Sequence, residues 1–313
     1  MQRLSLVLVV FLMSPLTELM RLEASEMIED RAEPELSRPD EPFTEAFSLA
    51  AAVHLLDSVA VNWQKEHECL SCHASYPFLM ARPLVAPGSD AEQEVRKAAE
   101  YLALHPRKSS FVPAEAVMVA STLAQHDART SGKLHPATRF ALDRIWDLQR
   151  DDGGWDWVHA QKPPSEVDDD YGVTMAAFGV GCAPENYAET PAARNGLEKI
   201  RRYLRNHPPA NLHNRSMRLL ASLHVDGLID EAGRRKVVED LFDSQKLDGG
   251  WGLATLGRNW NRSDGTPQDY EASDGYGTGF AIYVLRSAGV SAEDARIRKG
   301  IDWLKTHQRA SIT

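Results

Sequence analysis

Apolar residues recur at three- and four-residue spacing along most of the chain, the period of helices with one buried face. Between residues 43 and 66 the positions Phe47, Ala50, Ala51, His54, Leu55, Ser58 and Val59 trace one such stripe. A second apolar stretch runs from Tyr76 to Leu84. The same period predicts helices over 90–105, 114–126, 136–149, 171–180, 191–206, 211–224, 231–245, 274–288 and 292–308. Helix punctuation agrees. Ser89 or Asp90 is placed to cap a start, Pro106 stands just past an end, and Pro136 holds a first-turn position where no N–H is needed. No segment alternates with period two, so the expected fold class is all-α.

The helices differ in kind, and the difference alternates. Tyr101, Trp146, Tyr203, Phe242 and Trp303 each fall about one turn before the end of every second helix. The helices between them are richer in Ala, Gly and other small residues, which suits close packing in an inner layer. The longer amphipathic ones, such as 191–206 and 231–245, suit an outer layer. This gives helical pairs with a last outer helix, 292–308, that has no inner partner.

One heptapeptide occurs twice. Gln149-Arg150-Asp151-Asp152-Gly153-Gly154-Trp155 returns as Gln245-Lys246-Leu247-Asp248-Gly249-Gly250-Trp251. Each copy leads through a loop into an acidic-aromatic helix start, Asp169-Asp170-Tyr171-Gly172 and Asp274-Gly275-Tyr276-Gly277. Such ordered duplication marks a repeat architecture. The heptapeptide resembles the Gln–Trp repeat of squalene–hopene and oxidosqualene cyclases, and related repeats occur in protein prenyltransferase β subunits. The resemblance is specific over 136–308 and weaker over 43–130. It implies a single (α/α)6-type toroid over 43–308, inner helices around a cavity and outer helices around them. It also implies that Gln149 and Gln245 cap backbone groups and that Trp155 and Trp251 pack over the next repeat.

The acid motif of those cyclases, Asp-x-Asp-Asp, is resembled by Glu166-Val167-Asp168-Asp169, extended by Asp170, with Glu in the first position. Catalytic roles for Glu166, Asp168, Asp169 and Asp170 follow from the resemblance. Clustered carboxylates do not all ionise cheaply, and one that keeps its proton serves as a general acid for an alkene or epoxide. A helix N-terminus favours the anion instead, so N-capping by Asp168 to Asp170 stands as the alternative. Asp274 is read as the equivalent of Asp169. Trp157, His159, Tyr171, Trp260, Asp274 and Tyr276 are expected to line a cavity mouth for a polyprenyl-type molecule. The 252–273 loop is long enough to act as a lid.

Two of the three cysteines fall in Cys69-Leu70-Ser71-Cys72-His73. Cys-x-x-Cys-His resembles a c-type haem attachment site, with Cys69 and Cys72 taking the vinyl groups and His73 the iron. Met80, His54 and His67 are the near choices for a second axial ligand. A Cys69–Cys72 disulfide, or a zinc site completed by His67, remain open for the same residues. Cys182 reads as a small apolar group.

Arg3 followed by the apolar run Leu4 to Met13 reads as a signal peptide over 1–24, and 25–42 as an acidic disordered linker. The run is too short to span a bilayer, so an exported protein with no further transmembrane segment is expected. The net charge of −10 and pI near 5.6 argue against nucleic acid and anionic membrane surfaces as partners. The leading expectation is an exported terpenoid-cyclase-like protein acting on, or binding, an apolar small molecule. The alternatives are a haem c redox module with a redox partner, and a non-catalytic interaction scaffold.

Overall fold

The computed structural model describes residues 41–67, 70, 74–107, 111–262 and 265–309. The predicted leader, nearly all of the acidic linker, Cys69, Cys72, His73 and Asp264 lie outside the described residues. Among the described residues the protein is all-α. In chain order the helices are α1 Leu49–His67, α2 Ser75–Val85, α3 Asp90–Leu104, α4 Val112–Arg129, α5 Pro136–Asp147, α6 Asp169–Cys182, α7 Pro191–Asn206, α8 Leu212–Ser222, α9 Glu231–Asp243, the single turn α10 Leu253–Leu256, α11 Gly275–Ser287 and α12 Ala295–Thr306. The first expected helix begins later than its apolar stripe suggests. Phe43 to Ser48 instead run as a strap, described below. The single turn α10 falls inside the segment read as a lid.

The chain divides into two compact units. The larger holds residues 96–244 and 254–270. In it α4 packs on α6 and α6 on α8, while α5, α7 and α9 lie outside that row against their neighbours. Composition explains the layering. Every residue of α6 from Gly172 to Val180 is buried, whereas α7 buries only a stripe, Ala193, Gly196, Leu197, Ile200, Tyr203 and Leu204. The inner helices approach closely through small residues: the Ser121 hydroxyl of α4 donates to the Met175 carbonyl of α6 at 2.8 Å. His126, which its helix-end position would leave in solvent, is 4% exposed. Its Nδ1 meets Arg96 at 2.5 Å, and Arg96 pairs with the fully buried Asp127 at 2.8 Å.

The second unit holds the remaining residues up to 95, 245–253 and 271 onward. In it α1 packs on α2 and α11 on α12. The α1–α2 hairpin is clamped by a two-point ion pair, Arg82 to Asp57 at 2.6 and 3.0 Å, with Arg82 1% exposed.

The duplicated heptapeptide builds the same turn in both units. Gly153 and Gly249 have φ of 102° and 93°, a conformation that excludes side chains with a Cβ. Asp152 and Asp248 each accept the N–H of the second glycine, at 2.8 and 3.0 Å. Trp155 and Trp251 are 1% and 0% exposed. Gln149 Nε2 donates to its own turn at Gly153 O and to Gly196 O of α7, both at 3.1 Å. Gln245 Nε2 donates to Gly249 O and to Arg296 O of α12, both at 2.8 Å. Each glutamine therefore ties its own Gly-Gly turn to a helix of the same unit, α7 for Gln149 and α12 for Gln245.

Gln308 repeats this device where the chain ends meet. Its Nε2 donates to Ser48 O at 2.9 Å, and its Oε1 accepts from Ser48 N at 2.7 Å, just before α1 begins. Thr44 N bonds Gln308 O at 2.8 Å, and the Arg309 guanidinium lies 4.5 Å over the Phe43 ring. Four helix ends carry a second recurring feature. His67, His105, His207 and His307 stack on the aromatic ring four residues earlier, with centroids 4.0, 4.3, 4.0 and 4.1 Å apart. Each Nδ1 also meets that residue's carbonyl oxygen, at 3.2, 3.0, 2.9 and 2.7 Å. A carbonyl only accepts, so Nδ1 carries the proton at all four.

Replacing Gln149, Gln245 or Gln308 by leucine keeps the volume; it strips the donor from two carbonyls at Gln149 and Gln245, and at Gln308 it strips the donor from the Ser48 carbonyl and the acceptor from the Ser48 N–H. Each variant is expected to lose roughly 1–3 kcal/mol of unfolding free energy, measured as a lower urea midpoint at unchanged slope.

Candidate functional site

The acidic turn after Trp155 opens α6, and its three aspartates have three different jobs. Asp168 is the N-cap: its backbone is extended and its Oδ1 accepts from Tyr171 N at 3.1 Å. The Asn214 amide of α8 reaches both of its oxygens, at 3.3 and 3.4 Å. Asp274 caps α11 in the same way, accepting from Gly277 N at 2.6 Å and from Leu253 N at 2.6 Å. The counterpart of Asp274 is therefore Asp168 and not Asp169, because the cap is set by the N–H three residues ahead.

Asp169 points the other way, to Arg150 Nη2 at 2.7 Å and His159 Nε2 at 2.8 Å. Arg150 is the second residue of the Gln–Trp turn and is held by it, donating to Trp155 O at 2.9 Å. Asp170 turns inward to Arg218 of α8, which meets it through Nε at 3.0 Å and through Nη2. Arg218 also donates to the carbonyls of Leu204 and His207, closing the end of α7. Burial pushes the Asp170 carboxyl above the usual carboxylate range; Arg218 pulls it back, and Asp168 adds a smaller upward push. Glu166 stands apart from this group on a short backbone bridge to Lys162, with N–H···O distances of 3.1 and 3.4 Å.

Beside the turn runs a row of rings. Trp157 lies 6.1 Å from Tyr171, Tyr171 lies 6.3 Å from His213, and His213 lies 5.0 Å from Trp260. Trp157 is fixed by its Nε1 bond to Ser165 O at 2.6 Å and by lying across Gly172, where a Cβ would come within 2.3 Å of the indole. Trp260 is 5% exposed, and its segment is tied to the approach to α8 by Asn259 Nδ2 to Ala210 O at 2.8 Å. The expected lid is thus docked over this part of its length. His213 is wholly buried, and burial pushes its pKa down to about 3.

Of the sequence-derived residues, Asp168, Asp169, Asp170, Trp157, Tyr171 and Trp260 come together in the larger unit. Asp274 and Tyr276 belong to the other, where Tyr276 stacks on Phe280 at 5.8 Å. Met80 and His54 are half buried on α2 and α1. The pattern missed Arg150, His213, Asn214 and Arg218. Arg150 lies inside the heptapeptide, and Asn211 with Asn214 marks a helix start, so only those two were within reach. Among the described residues no group of His, Cys, Asp and Glu is arranged to hold a metal ion, and no helix is long and apolar enough to cross a membrane. No family model matches the chain, and no curated protein matches it.

The His213 depression has a definite sign. A histidine with a folded-state pKa near 3 and an unfolded value near 6.5 contributes stability that is present above pH 6.5 and is lost as pH falls toward 3. His213→Phe keeps a ring between Tyr171 and Trp260 without the titration. Its melting temperature is expected to fall less between pH 6.5 and pH 4 than that of the parent protein, by scanning calorimetry in matched buffers.

Proposed function

We propose that the chain is a cyclase-like helical-repeat protein that receives an apolar, polyprenyl-type molecule along Trp157, Tyr171, His213 and Trp260 and protonates it from the adjoining acidic turn. The supporting observation is continuity: Tyr171 directly follows Asp170 and is also the second member of the ring row, between Trp157 and His213. Asp170 is the carboxyl of the turn that burial raises above the usual range, with Arg218 acting against the rise. In the step, the Asp170 O–H bond breaks as the electron pair of an alkene takes the proton to form a C–H bond. Arg218 then faces the carboxylate left behind, and aromatic faces stabilise the carbocation. Asp168 and Asn214 hold the turn, while Asp169 is engaged by Arg150 and His159. The toroid implied by the Gln–Trp repeats is part of this reading.

Incubation with squalene and with shorter polyprenes, followed by mass spectrometry of the extract, tests it. Asp170→Asn is expected to lower product formation by roughly 100-fold or more, with folding checked by its melting curve. Equal product from both proteins, or none from either, removes the acid role.

A second reading concerns Cys69, Cys72 and His73. They fall in the connection between α1 and α2, two helices held together by Arg82 and Asp57. A rigid hairpin on both sides suits a covalently attached haem, which would supply one-electron chemistry and require export to an oxidising compartment. Met80, His54 and His67 stay the choices for a second ligand; the Nδ1 contact of His67 with the Trp63 carbonyl leaves its Nε2 for the iron. After expression with a cytochrome c maturation system, the intact mass is expected to rise by one haem. An unshifted mass ends this reading.

A further inference from the structure

Beside the acidic turn, two amide atoms make no hydrogen bond to any described residue: Asn211 Nδ2 and Asn214 Oδ1. Asn211 and Asn214 are 7% and 1% exposed, and buried polar groups of this kind require partners. Their orientations are fixed. Asn211 presents Oδ1 to the Asn214 N–H at 2.9 Å as the cap of α8, so its NH2 group must face away. Asn214 presents Nδ2 to Asp168, and turning the amide over would set its oxygen against a carboxylate. The result is one donor and one acceptor on Asn211 and Asn214, at the start of α8.

We propose that this cluster binds the hydroxyl group of an otherwise apolar ligand, whose hydrocarbon part lies on the adjoining rings. A hydroxyl offers one donor and two lone pairs, and so serves the Asn211 NH2 group with a lone pair and the Asn214 oxygen with its proton. A carboxylate or diphosphate is repelled by Asp168, which the Asn214 amide contacts through both oxygens. An ammonium leaves the Asn211 amide without an acceptor. His213 stands between the two asparagines in sequence and in the ring row in space, which joins the polar cluster to the apolar wall. The inference rests on the ligand-binding part of the proposed function and narrows its ligand to an apolar molecule that carries one hydroxyl group. It does not depend on proton transfer.

The test is equilibrium dialysis with geranylgeraniol and with the hydrocarbon of the same skeleton lacking the hydroxyl. The wild-type chain is expected to bind the alcohol at least about ten-fold more tightly. Asn211→Ser keeps a capping oxygen and removes the NH2 donor. It is expected to retain the parent melting curve and to bind the two compounds equally. Equal affinities in the wild type, or a preference that survives Asn211→Ser, would mean that the cluster holds an ordered water only and would overturn the inference. Binding of neither compound overturns it together with the aromatic-wall reading. Loss of the acid role in the Asp170→Asn comparison leaves the alcohol preference as an independent result.

Discussion

The structure depends on one primary amide that recurs in three places. Gln149 Nε2 ties its own turn to α7, Gln245 Nε2 ties its own turn to α12, and Gln308 ties the end of α12 to the approach to α1. A turn buried against a helix leaves little room for water at the carbonyls of Gly153 and Gly249, so a donor must be supplied from the side. Gln149 and Gln245 each reach two carbonyls because their two N–H groups diverge. Each bond is modest in net terms, yet an absent donor exposes the full cost of a desolvated carbonyl. The register of each turn on the helix it meets follows from this, since sliding that helix by one residue breaks the pair.

The same turn sets up the chemistry on its far side. Arg150 is held by the turn backbone and in turn holds Asp169, so the acidic turn is aligned by the repeat itself. In the second copy Lys246 stands where Arg150 does, and glycine and tyrosine follow Asp274 where two further carboxylates follow Asp168. The cap survives in both copies while the extra carboxylates occur in one. Capping therefore accounts for Asp168 and Asp274 alike, and leaves Asp169 and Asp170 to be explained by their own partners, Arg150 with His159 on one side and Arg218 on the other.

Helix positions were legible because burial is one-sided in the outer layer and nearly total in the inner one, and each leaves a distinct composition. The expected span 191–206 matches α7, where Thr190 caps the start and six buried residues fall on one stripe. The stripe over 43–66 overreached because Thr44 and Ser48 are held in a strap by Gln308, a contact 260 positions away in the case of Ser48 that no local period encodes. The acidic turn was visible as a charge cluster, but its division of labour was not. Arg218 and Asn214 look like ordinary helix residues until α8 is laid against α6, and His213 carries no local mark of burial. Ring spacing in the site depends on Gly172 admitting Trp157, which sequence shows only as one glycine among many.

The stacked histidines at four helix ends have a consequence for how those ends can be contacted. One face of each ring is covered by the aromatic side chain a turn earlier, and Nδ1 is committed to the carbonyl of that same residue. Ring orientation is therefore set within the helix, and Nε2 is the remaining polar atom through which each imidazole can meet anything else.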